Sequence, residues 1–195
     1  MVLDNGTILD KDEGKLLMYL SLENDGIYLV WRYVIVRFVT SGTVGNVYVA
    51  AQQQNHVTVA EVALKEVDED EFDQKELHVL QLAAENSKDK MLQLRDTFVS
   101  GHNRYLVTQV VGSNFEDLRS NATDQKLTSV EAANLCVELL EAFQQIHSLG
   151  YLHVDHKPKN VCVSHADQKK VVLVDFGEAT QFRKVGHWMI LFILL

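Results

Sequence analysis

The spacing of apolar residues changes near Gly112, and that change restricts the fold more than any other feature of the chain. Before it, Tyr33 to Thr40, Asn46 to Ala51, Val57 to Val67, Leu92 to Val99 and Tyr105 to Val111 read as β-strands. One helix over Asp73 to Glu85 is inserted after the third of these, with Phe72, Leu77 and Leu80 on its apolar side. After Asn114 the pattern turns helical. Thr128-Ser129-Val130-Glu131 has the layout of a capping box, in which a Thr side chain and a Glu three residues on satisfy each other's backbone N–H. Ala132, Leu135, Cys136, Leu139, Leu140, Phe143 and Ile146 then recur at helical spacing, and Gly150 is the expected stop. Two short apolar segments follow, Asn160 to Ser164 and Val171 to Val174. The expected class is α+β, a β-rich part with one helix followed by a helical part.

Composition narrows the function classes. A formal net charge of −9 argues against a nucleic-acid binder that relies on a basic footprint, although one Lys and a few fixed N–H groups can still hold a phosphate. The dense acidic run Glu66 to Asp73 reads as a solvated loop. Cys136 and Cys162 make no disulfide framework, and both read as buried thiols. Met1 to Gly14 lacks the layout of a signal peptide. Arg32 and Arg37 break the apolar run Ile27 to Val39, and Trp188 to Leu195 is far short of a membrane helix, so no membrane span is expected. The setting read from this is cytoplasmic or nuclear.

Four stretches carry chemistry, in order. Ser41-Gly42-Thr43-Val44-Gly45-Asn46-Val47 places glycines between two strands, where backbone N–H groups can approach a phosphate; an ordinary hairpin turn would look the same. Val62-Ala63-Leu64-Lys65 ends an apolar strand on a lysine, by itself no more than a snorkelling surface residue. Glu76 on the following helix could hold that amine against phosphates. His153-Val154-Asp155-His156-Lys157-Pro158-Lys159-Asn160 is the sharpest signal and contains the only proline. Phosphoryl transfer needs a hydroxyl-proton acceptor, a cation near the γ-phosphate and oxygen ligands for Mg²⁺, and Asp155, Lys157 and Asn160 have those chemistries. Val172-Leu173-Val174-Asp175-Phe176-Gly177 delivers a further hard oxygen ligand at the end of an apolar strand.

Taken together, these stretches match the signature set of protein kinases. With Val107 to Arg119 and Ile146 to His153, the chain resembles the casein kinase 1 group and, within it, the tau-tubulin kinases, from about Trp31 to Arg183. The resemblance implies a two-lobe fold with a complete β-rich N-lobe over 31–111 and the start of a helical C-lobe over 112–184. Residues 1–30 then form an N-terminal extension and 185–195 an unrelated apolar tail. It implies ATP and Mg²⁺ as cofactors. Gly42 and Gly45 cover the phosphates, Val47 packs on adenine, Ala63 lines its pocket, and Lys65, paired with Glu76, binds the phosphates. Thr108 sits behind the nucleotide, and Gln109 to Val111 form the hinge that reads the adenine edge. Asp155 is the base, Lys157 steadies the γ-phosphate, and Asn160 and Asp175 hold the metal.

The sequence departs from the pattern at several positions. Thr40 replaces the first loop glycine, Val154 the arginine before the base, His156 an apolar residue, and Glu178 a leucine. Lys65 and Glu76 are closer in sequence than the family pattern. The kinase pattern is expected to stop after Lys184 without the family's later C-lobe helices, so the apolar face of the long helix is expected to meet a protein partner or to aggregate. Two functions follow: transfer of the ATP γ-phosphate to a protein Ser or Thr hydroxyl, or a pseudokinase-like module that binds nucleotide or protein with weak or no catalysis.

Overall fold

The structure is a computed structural model that describes residues 16–23, 26–42, 45–54, 57–122 and 127–182, with side chains described from Tyr33 onward. Expectations for the first 15 residues, for the turn tip Thr43-Val44 and for the tail 185–195 lie outside these residues. The chain divides into two compact units, Met1–Asp73 with Leu94–Val110, and Gln74–Gln93 with Val111–Leu195.

The first unit is a six-stranded antiparallel sheet. Its strands are β1 (Leu16–Glu23), β2 (Gly26–Gly42), β3 (Gly45–Gln54), β4 (Val57–Asp68), β5 (Leu94–Ser100) and β6 (Asn103–Thr108), in the order β1-β2-β3-β4-β6-β5. β1, and the start of β2 at Gly26, were not anticipated from the sequence. Because side chains alternate across a strand, the register sorts them into two faces. Tyr33, Ile35, Tyr48, Ala50, Val62, Leu64, Phe98, Tyr105 and Val107 form one buried cluster. Within it Phe98 stacks between Tyr33 and Tyr105, with centroids 5.3 and 5.0 Å away.

Asp68, Asp70, Glu71 and Asp73 of the acidic run are exposed as expected, but Glu66 departs from that reading. Glu66 lies inside β4, where its carboxylate accepts from Tyr105 Oη at 2.5 Å, Asn103 Nδ2 at 2.9 Å, Tyr48 Oη at 3.2 Å and Asn46 Nδ2 at 3.4 Å. A carboxylate at the edge of an apolar cluster is tolerated when its lone pairs are filled in this way. Burial, reinforced by that carboxylate, raises the Tyr105 hydroxyl well above the usual phenol range. Glu69 takes both arms of Arg104, with Nη2–Oε1 at 2.7 Å and Nε–Oε2 at 2.8 Å.

The second unit contains α1 (Gln74–Glu85), α2 (Phe115–Asn121) and α3 (Ser129–Ser148). Two small sheets accompany them: β7 (Val111–Asn114), β9 (Val161–Ser164) and β10 (Val171–Leu173) in the order β10-β9-β7, and β8 (Tyr151–Leu152) with β11 (Thr180–Gln181). Thr128 caps α3 with both arms of the expected box, and Gly150 follows its end at φ +85°. Gly112 fits closely, since a Cβ there would stand 3.0 Å from Val163 Cγ2. Lys90, 9% exposed, ties the segment after α1 to α3 through Glu138 at 2.5 Å and Glu141 at 3.0 Å. Leu135, Ala142 and Ile146 are buried. Cys136 is exposed, correcting the expectation of a buried thiol; it falls with Val130, Val137 and Leu140 among the uncovered residues of α3. Cys162 is buried as expected, and desolvation pushes its thiol up to about 12.

Candidate functional site

In the strand unit, register rather than sequence proximity gathers the predicted residues. Lys65 on β4 stands opposite Val47 on β3 and Leu106 on β6, while Ala63 stands opposite Val49 and Thr108. Directly paired residues project to the same side, so Val47, Ala63, Lys65 and Thr108 share one sheet face, opposite the aromatic cluster. Thr108 is buried, while Val47, Ala63 and Lys65 are half-buried. Gly42 and Gly45 pair with each other at the end of β2 and the start of β3. Gly45 has φ +127°, and a Cβ built on it would lie 2.0 Å from the Glu66 carbonyl oxygen, so glycine is required. Gly42 has ordinary space, with its nearest neighbour at 3.7 Å. Gln109 follows β6 and Val111 opens β7.

In the second unit a tight loop assembles the charged residues. The Asp155 N–H donates to His153 O at 2.9 Å, closing a three-residue turn about Val154, whose φ is +66°. That sense of turn is strained for a β-branched residue, and its effect is to reverse the chain just before Asp155. Lys157 N donates to Asp155 O at 3.1 Å, and Asn160 N to Lys157 O at 2.8 Å, continuing the winding. Pro158 begins the short 3-10 turn Pro158–Asn160, where its missing N–H costs nothing.

The side chains converge as a result. Lys157 Nζ donates to Asp155 Oδ2 at 2.7 Å, and Asn160 Nδ2 donates to the same oxygen and to Asp155 O, each at 2.9 Å. The Lys157 hydrogen bond leads the effects that hold the Asp155 carboxyl below its usual range, and Asp155 raises Lys157 in return. Asp175 is brought alongside by the backbone: Val174 N donates to Asn160 O at 3.1 Å, and His153 Nε2 lies 2.9 Å from Val174 O. Asp175 takes φ +61°, and Phe176 is fully buried against His153 with ring centroids 5.2 Å apart. Burial lowers the His153 pKa. These two left-handed residues, Val154 and Asp175, carry no signal in the sequence.

Glu76 lies in the first turn of α1 and is 6% exposed. Lys75 beside it donates to Gly177 O at 3.4 Å. Among the described residues no three His, Cys, Asp or Glu side chains gather as a metal-binding group. Asn160, whose amide nitrogen is held by Asp155, and Asp175 supply oxygens of the right hardness for magnesium. Among the described residues no helix is long and apolar enough to cross a membrane.

Comparison with known proteins bears on the family. The protein kinase domain family matches residues 33–191. A probable serine/threonine-protein kinase of Dictyostelium discoideum is 28% identical over 166 residues, covering 80% of this chain and 32% of that protein. A probable dual specificity protein kinase of Encephalitozoon cuniculi, a YAK1 homologue, is 22% identical over 160 residues, covering 82% of this chain and 40% of its own. A Caenorhabditis elegans protein whose name provisionally assigns it to casein kinase I is 30% identical over 91 residues, 44% of this chain and 27% of that protein. The chain thus spans well under half the length of each of these relatives. With a family match over most of its length and the Asp155–Lys157–Asn160 cluster in place, the chain belongs to the protein kinase domain family.

Proposed function

We propose that this chain carries the nucleotide-handling and catalytic residues of a serine/threonine protein kinase that transfers the γ-phosphate of ATP·Mg²⁺ to a protein hydroxyl. The observation that carries the reading is the convergence of Lys157 and Asn160 on one oxygen of Asp155. With Oδ2 so occupied, Oδ1 is the atom that orients the substrate hydroxyl and takes its proton as the oxygen bonds to phosphorus and ADP departs. Lys157 is the cation beside that event and offsets the charge on the transferred group. Bound ATP·Mg²⁺ supplies the phosphoryl group and the divalent charge, with Asn160 and Asp175 as the protein ligands of the metal. Lys65 binds the phosphates with Glu76 as its partner, Gly42 and Gly45 cover them, and Val47, Ala63, Thr108, Gln109 and Val111 receive the base. The shared sheet face of Val47, Ala63, Lys65 and Thr108 supports the strand-unit half of this assignment.

The finer placement in the casein kinase 1 group, near the tau-tubulin kinases, rests on Val107 to Arg119 and Ile146 to His153, and the nematode relative is in keeping with it. The kinase part is taken as 31–184, with 31–111 as its N-lobe. The test is phosphotransfer from γ-labelled ATP to a serine-containing protein by the purified chain, beside Asp155→Asn. Label incorporated by the first and lost from the second supports catalysis; equal incorporation removes it.

A second reading, a nucleotide- or protein-binding module with weak or no turnover, is favoured by the uncovered Val130, Val137 and Leu140 of α3, which a protein partner would shield. Stabilisation by nucleotide without phosphotransfer selects it.

A further inference from the structure

The loop that holds Asp155 also holds His156, a ring with no part in the phosphate chemistry. His156 meets Phe143 of α3 edge-on, with centroids 5.8 Å apart and planes at 89°. Phe143 stacks over His147 at 6.2 Å and 19°. His147 meets Phe182 edge-on at 6.1 Å and 83°. The backbone N–H of Phe182 donates to Gly150 O at 2.9 Å, just beyond the β8–β11 pairing. Four rings therefore run within the second unit from the segment after Gly177, across the end of α3, to the residue between Asp155 and Lys157. The hydrogen bond from Lys157 N to Asp155 O closes the backbone across His156 and ties this residue to both neighbours.

Burial alone lowers the pKa of His147. The rings packed on it, Phe143 and Phe182, are uncharged. β8, which packs against α3, and its partner β11 contribute Tyr151, Leu152, Thr180 and Gln181, of which Tyr151 is titratable and itself meets the His78 ring of α1 edge-on at 6.2 Å. Beyond Phe143 stand His156 and its neighbours Asp155 and Lys157. On α3 the charged residue nearest in sequence is Glu141, more than one turn back. A proton on His147 thus enters a mainly apolar stack; the face of Phe143 returns part of that cost.

We propose that the series Phe182–His147–Phe143–His156 is a positioning relay that holds the Asp155–Lys157 pair in register while the segment after Gly177 is docked on Gly150, and that protonation of His147 releases it. The proposal rests on the reading of Asp155 as the catalytic base. A histidine with a lowered docked-state pKa takes up its proton more readily once released. Docking is therefore complete above about pH 6.5 and declines as pH falls below it.

Histidine-ring and backbone-amide NMR spectra of the full 195-residue chain between pH 8 and pH 5 provide the test, and they need no turnover. The Asp155 and Lys157 amide shifts should step with the His147 ring titration. That step should vanish in His147→Phe, which keeps the ring without the proton, and Phe182→Ala at pH 8 should reproduce the acidic positions. Phe143→Leu serves as a second break in the series should Phe182→Ala fail to fold. A step that survives in His147→Phe and disappears in His156→Phe overturns the relay, as do flat loop amides while His147 titrates. Loss of phosphotransfer with the amide step intact would fault the catalytic reading and leave the relay standing.

Discussion

Two glycines of one turn should respond very differently to the same substitution. A Cβ on Gly45 would sit 2.0 Å from the Glu66 carbonyl oxygen and 3.0 Å from its carbon, and the backbone there has φ +127°. The obstacle is backbone near the C-terminal end of β4, paired there with both β3 and β6, so no rotamer change relieves it, and the strand must move by about 1 Å to restore ordinary contact. Backbone strain of about 1–3 kcal/mol at such a φ, added to about 1–3 kcal/mol for overpacking, gives a loss of about 2–6 kcal/mol for Gly45→Ala. Gly42 has its nearest neighbour at 3.7 Å, so Gly42→Ala should stay within about 0.5 kcal/mol of the parent. Urea unfolding of both variants measures the difference, and the folded Gly42→Ala protein can then be titrated with ATP·Mg²⁺ to read the role of the loop apart from stability. A Gly45→Ala midpoint equal to that of Gly42→Ala would refute the steric argument.

Two further perturbations probe the units separately. Tyr105→Phe removes the 2.5 Å bond to Glu66 and should cost about 1–3 kcal/mol, more than Tyr48→Phe, whose bond is 3.2 Å; reversed order in urea unfolding would discount the Glu66 hub. Lys90→Met should destabilise by about 2–3 kcal/mol, discounted from the fully buried case because Glu138 is 23% exposed. Since Lys90 first among other groups lowers the Glu138 pKa, the parent's share of that stability is present above about pH 4.5 and lost as pH falls through the lowered value; identical acid-unfolding profiles for parent and variant would contradict this.

The parts of the fold readable in the sequence are those fixed by local chemistry. Thr128 and Glu131 announce the start of α3, Gly150 its end, and the alternation of Val62 and Leu64 marks a strand buried on one face. What failed depended on distant partners. Glu66 sits in a run of acids and looks solvated, yet the groups that satisfy it, Tyr48, Asn103 and Tyr105, arrive from two other strands. Cys136 belongs to the helical repeat by spacing, but spacing does not say which part of a wide apolar face is covered. At the site, residue types were legible and geometry was not. Nothing in the order His153-Val154-Asp155 signals a left-handed valine or two donors meeting on Oδ2.

Thermal unfolding of the chain with and without ATP and Mg²⁺, repeated for Asp175→Asn and Asp155→Asn, bears most directly on the nucleotide-site assignment. Ligand should stabilise the parent by RT ln(1 + [L]/Kd), about 2.7 kcal/mol at a hundredfold excess over Kd, and raise its midpoint accordingly. Asp175→Asn should lose the magnesium-dependent part of that rise, and Asp155→Asn should keep it. A parent midpoint unmoved by saturating ATP·Mg²⁺ would contradict the assignment.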